Sequence, residues 1–147
     1  MLDDPKLARA SIRGALLAIN LLFLTVWGFT GIGKVVAGMH PSFAEKFGST
    51  FLAKFPGLTA TFWILAISEC LAFLLAAIAL FSGEFIGRRA PRVLQLMLTW
   101  SLFIFVQLGF GQWLTSEFNA TAQLFAYFAG TLVCLHYVEA RASGPIC

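Results

Sequence analysis

Charge is what this chain has least of. Only 12% of its 147 residues are charged and 59% are apolar, whereas a soluble domain is about a quarter charged. A mean hydropathy of +0.85 excludes an ordinary soluble domain. Cysteine is scarce too: Cys70, Cys134 and Cys147 are the three present. They form no CxxC, and no Cys/His spacing suits zinc, so no structural disulfide, dithiol redox pair or metal site is expected. His40 and His136 fall on opposite sides of any membrane layout, so they cannot share a haem. The net charge is +3 and the pI about 9.0, yet no basic patch is interleaved with exposed aromatics. The basic residues sit at the ends of apolar runs and read as topology signals, which excludes nucleic acid as a partner. "GIGK" ends an apolar run instead of linking a strand to a helix, so it is no phosphate loop. There is no internal repeat or low-complexity tract.

What the chain does have is long apolar runs. A membrane helix needs about 20 mostly apolar residues. Four segments meet this: Gly14 to Gly33, Leu58 to Phe81, Val93 to Gly111 and Ala120 to Val138. The first follows Lys6, Arg9 and Arg13, as a signal peptide would. It is long for a signal, and no A-x-A site follows, so it is expected to be retained. An even number of spans puts both termini on one side. Lys6, Arg9, Arg13, Arg88, Arg89, Arg92 and Arg141 lie on that side, against Lys34, Lys46 and Lys54 on the other. The positive-inside rule then makes the termini cytoplasmic. The expected fold is an all-α membrane protein: one four-transmembrane-helix bundle with both termini cytoplasmic and a short outer amphipathic segment. Lipid is the expected surrounding. Trp63 and Trp113 suit an aromatic belt, and Cys70 and Cys134 read as packing residues.

The outer segment runs from Lys34 to Gly57. Phe43, Phe47, Phe51 and Phe55 recur every four residues there, which predicts a short helix lying on the membrane or capping the bundle. Gly48, Ser49 and Thr50 oppose it, and Pro56-Gly57 ends the segment.

Polar side chains in a membrane span belong on the bundle interior. In span one Arg13, Asn20, Trp27 and Lys34 are seven apart and share a face. In span three Trp100 and Gln107 are also seven apart. In span four Gln123, Tyr127, Gly130, Cys134 and Tyr137 follow helical spacing. Span two carries Glu69 on a face with Ala66, Ala72 and Ala76, whose small size lets another helix approach. At about 1.5 Å per residue, Glu69, Trp100, Tyr127 and Trp27 fall within roughly 6 Å of the mid-plane. Asn20 lies toward the cytoplasm and Gln107 toward the outside. These residues are expected to converge on a polar cluster centred on Glu69. By the same rise Lys34 stands roughly 15 to 18 Å higher, out of reach unless span one tilts or dips. An unpaired carboxylate there should be protonated or held by several donors, with Trp27, Trp100, Tyr127, Asn20 and Gln107 available. Two roles remain open: hydrogen-bond glue between helices, or a proton-handling and ligand-binding group.

Span one ends in "GFTGIGKVVAG", "KFPGL" leads into span two, span two carries "ISECLAFLLAAIALFSG", and the basic turn "GRRAPR" follows. With these motifs the layout from Gly28 to Gln112 resembles the DoxX-like family of small four-helix membrane proteins. The resemblance carries Lys34 and Glu69 over as family-like positions. It implies an inner-membrane subunit of a redox system, with protein partner subunits or a homo-oligomer and no cofactor of its own. Quinone is the small molecule it implies. In that reading Glu69 hydrogen-bonds or exchanges a proton with a quinone oxygen. Trp27, Trp100 and Tyr127 line the site with Asn20 and Gln107, and Lys34 meets anions near the mouth. Two other readings stand beside it: a structural or assembly subunit of a larger membrane complex, and a small proton-coupled transporter.

Overall fold

The computed structural model describes residues 5–86 and 90–142. Arg88, Arg89 and Cys147, which entered the reading above, lie outside the described residues. No strand occurs among those described. Helix α1 (Pro5–Trp27) runs through a π-helical turn, Gly28–Ile32, into α2 (Gly33–Ala37). Together they make one span of 33 residues, longer at both ends than Gly14 to Gly33. Its first turns carry Lys6, Arg9 and Arg13, which an apolar-run criterion rejects although they are good helix formers. Helix α3 (Pro41–Phe47) starts where the His40 ring accepts from the Ser42 N–H at 3.2 Å and Pro41 takes the first position, both ordinary start signals. A 3₁₀ turn, Phe51–Ala53, follows. The phenylalanines therefore do not share one helix: Gly48 to Thr50 interrupt it, Phe47 is buried, and Phe55 is exposed. The remaining elements are α4 (Leu58–Phe81), a 3₁₀ turn at Glu84–Ile86, α5 (Arg92–Leu114) and α6 (Phe118–Ala142).

The α1–α2 span, α4, α5 and α6 are each long and apolar enough to cross a membrane, as a multi-pass membrane protein requires. They alternate in direction. Gly28 faces Phe73 and Gly31 faces Glu69 and Cys70, while Asn20 faces Ala76 and Leu80, so α1 and α4 are antiparallel. Ring contacts of Trp113 with Phe118 at 6.0 Å and of Phe105 with Tyr127 at 6.1 Å make α5 and α6 antiparallel as well. Pro5 and Ala142 thus share one end, the terminal end. The loop with α3 closes the opposite, roofed end.

Close packing comes from small residues. Ala66, Ala72, Ala76 and Ala79 of α4 are wholly buried. Gly31 meets the α4 backbone so closely that a Cβ would stand 3.0 Å from the Cys70 nitrogen and 3.1 Å from the Glu69 carbonyl carbon. The terminal end is held by polar groups. With its amide assigned from the hydrogen-bond network, Asn20 donates to the Ala76 carbonyl at 3.0 Å and accepts from the Leu80 N–H at 3.1 Å. Glu84 accepts from the backbone N–H of Val93 at 3.0 Å and of Leu94 at 2.9 Å, capping α5 from across the turn.

Helix α6 departs from the expected stripe. Gln123, Tyr127 and Gly130 are exposed, Cys134 and Tyr137 are half-buried, and Thr131 and Val138 are the buried positions. The helix packs chiefly on α5. It flanks the bundle instead of completing its centre, so α5 chiefly sets its contact line. That line runs through Thr131 and Val138, beside the polar stripe.

Candidate functional site

Glu69 is 1% exposed, halfway along α4, and it is not unpaired. Lys34 Nζ donates to its Oε1 at 2.9 Å and its Oε2 at 2.7 Å. This corrects the expected separation of 15 to 18 Å, for two reasons. The first span continues to Ala37, so Lys34 is not at its tip. Gly31, one turn before Lys34, lies against the backbone of Glu69 itself. The helix therefore crosses α4 at the depth of the carboxylate, and the lysine stem covers what separation is left. The π-turn, which re-phases a helix by its wider winding, occupies this crossing.

The short bidentate contact is a charge-assisted one. It satisfies the carboxylate without the several neutral donors proposed for it, and three of those, Trp27, Trp100 and Asn20, are engaged elsewhere. Trp27 Nε1 donates to Ser101 Oγ at 2.9 Å, and Ser101 Oγ donates onward to the Met97 carbonyl at 2.8 Å. Trp100 Nε1 donates to the Ser68 carbonyl at 3.0 Å, beside Glu69 in sequence but not to its side chain. Asn20 is bound to the backbone at the terminal end of α4. Tyr127 is 57% exposed on α6, with its ring on Phe105. Among the expected residues, the structure pairs Glu69 with Lys34 and brings Lys34 and Gln107 to one place, with Glu69 behind the lysine and outside the lining.

That place is a cavity of about 710 Å³ at the roofed end. Its walls come from the π-turn and α2, from α4 and from α5, and its roof from α3 and the 3₁₀ turn. Lys34 lines it and Gln107 lines the α5 wall. The Gln107 side chain makes no hydrogen bond among the described residues. Most other lining groups are apolar, among them Phe43, Phe47, Phe62 and Leu65. Phe43 packs on Phe47 at 4.7 Å and on Phe62 at 5.5 Å between ring centres, which seats the roof on α4. At the rim Lys46 Nζ donates to Gln112 Oε1 at 2.8 Å and stands 3.8 Å from Glu117. The roof is thus tied to α5 and to the turn between α5 and α6.

The chemistry follows from what is spent and what is left. An ammonium has three N–H donors and no acceptor, and Glu69 takes two. The Lys34 side chain is 27% exposed against 1% for Glu69. A ligand in the cavity therefore meets the ammonium first, with the carboxylate behind it. The pair is neutral overall, so the site favours an uncharged acceptor oxygen on an apolar body over a free anion. Removing either partner of a largely buried pair costs about 3–5 kcal/mol. No group of three or more metal-ligating side chains exists among the described residues. Sequence reasoning missed Ser101 and the Ser68 carbonyl as the partners of the two tryptophans. It also missed Gly31, whose position three residues before Lys34 was the available signal for a close crossing. Comparison with family models, curated proteins and solved structures finds no match.

Proposed function

We propose that the protein is a DoxX-like inner-membrane subunit of a redox system that binds a quinone in the roofed cavity. One observation carries this: a Lys–Glu pair, closed at 2.7 Å, at the edge of an otherwise largely apolar cavity of about 710 Å³. The remaining Lys34 N–H donates to one quinone oxygen. Glu69 fixes the ammonium and is the adjoining proton acceptor, and Gln107 offers an amide from the opposite wall. Lys34 and Glu69 are also the two positions that the DoxX-like resemblance carries over. Electrons would come from a partner subunit carrying a redox centre. The positive-inside bias supports a cytoplasmic terminal end and an external roof.

A second reading rests on α6, where 6% of the apolar window is buried, against 28% to 33% in the other spans. A larger complex would pack on that side, making the chain an assembly subunit. One experiment separates the two. The protein is purified in mild detergent, and everything that accompanies it is identified by native mass spectrometry and solvent extraction. A quinone near one per chain is expected. Phospholipid alone overturns the quinone reading, and a stable protein partner without quinone supports the second.

A further inference from the structure

Cavity walls and cavity roof differ in what they show to the outside. In the roof, the apolar Phe47 and Leu52 are 9% and 8% exposed, and the exposed lining groups at α3, His40, Ser42 and Lys46, are polar. In the walls, Phe29 is 80%, Ile64 52% and Phe110 49% exposed. These three side chains line the cavity and sit about 6–12 Å inside the roofed ends of their helices, counted at the helical rise. At that depth the surroundings are hydrocarbon, so the cavity wall is continuous with the lipid-facing surface. Above it the roof is packed by the rings of Phe43, Phe47 and Phe62, held down by the Lys46 contacts to Gln112 and Glu117, and polar at its rim.

We infer that the site is loaded sideways from the bilayer leaflet at the roofed end, and that α3 is a fixed cap, not the door. The ligand class follows: a molecule that partitions into lipid, uncharged, with an acceptor oxygen on an apolar body. Small aqueous anions are disfavoured, because Glu69 already neutralises the Lys34 charge and the exposed walls are apolar. This rests on the cavity being the ligand site proposed above. It does not require that the ligand be a quinone.

The test uses a reporter thiol. Leu65 is half-buried and lines the cavity, so Leu65→Cys is placed in full-length protein with Cys70, Cys134 and Cys147 replaced, in lipid nanodiscs. Ser49→Cys, at an exposed position in the roof segment and outside the cavity lining, serves as the water-facing control. Both are treated with apolar N-phenylmaleimide and with the cationic reagent 2-(trimethylammonium)ethyl methanethiosulfonate, and rates are normalised to the control. The reporter should favour the apolar reagent by about tenfold or more, a bias set by partitioning. That bias should persist when Lys46→Cys and Gln112→Cys are bridged beforehand by a short, charged bifunctional thiol reagent that stays in water and so spares a reporter reached only from lipid. Equal labelling by the cation, no labelling by either reagent, or protection once the roof is bridged would each overturn lateral loading. Failure of quinone binding would overturn the proposed ligand and leave these rates unchanged, so the two failures are distinguishable.

Discussion

Two glutamates are buried among the described residues, one at each level, and their partners differ. Glu84, at the terminal end, is 7% exposed and spends both oxygens on backbone N–H groups of α5. Glu69, at mid-depth, is 1% exposed and spends both on one side-chain ammonium. Backbone donors cannot move without unwinding a helix, so Glu84 is a cap. A lysine on a four-carbon stem can turn toward a ligand, and Lys34 lines a cavity. Burial alone does not mark a functional carboxylate; the mobility of its partner and the space beside that partner do.

The largest effect should come from separating the mid-depth pair. Lys34→Met leaves Glu69 buried without its cation and should cost about 3–5 kcal/mol in detergent unfolding. The double variant Lys34→Met/Glu69→Leu should recover most of that stability while quinone binding stays lost. Recovery of both would mean that the pair is glue. Gly31→Ala comes next. Its Cβ would meet the α4 backbone at 3.0 to 3.1 Å, which should push the helices apart at a cost of about 1–3 kcal/mol and loosen the ion pair. Glu84→Gln should cost about 1–2 kcal/mol, as for a weakened helix cap, and leave ligand binding intact. The smallest effect is expected at the rim, where Lys46→Ala removes exposed contacts worth about 0.2–1 kcal/mol. Melting curves of the purified variants rank all four.

The spans were legible because hydropathy is a property of runs, and each apolar run became a helix. Glu69 was legible for the same reason, as the one acid inside such a run. Its partner was not. Counting the rise along separate helices assumes that they begin at the same level, and the extension of the first span to Ala37 breaks that assumption. Rotation and neighbour order were likewise absent from spacing alone. Trp27 and Trp100 do face inward, but Ser101 and the Ser68 carbonyl are nearer partners than the carboxylate. Tyr127 fits the helical pattern of its stripe, yet α6 meets the bundle along a different line. Glu84 was passed over because it follows an apolar run, where an acid is unremarkable. Its role depends on α5 starting beside it across a turn.

The most direct test of the account is a quinone titration of the wild type, Glu69→Gln and Glu84→Gln in nanodiscs, followed by quenching of the intrinsic tryptophan fluorescence. The same acid-to-amide change is made at both buried sites, so only their surroundings differ. The account predicts that Glu69→Gln weakens decylubiquinone binding about tenfold or more, as loss of a charge-assisted contact would, and that Glu84→Gln binds like the wild type. Unchanged binding by Glu69→Gln, or an equal loss in both variants, would contradict it.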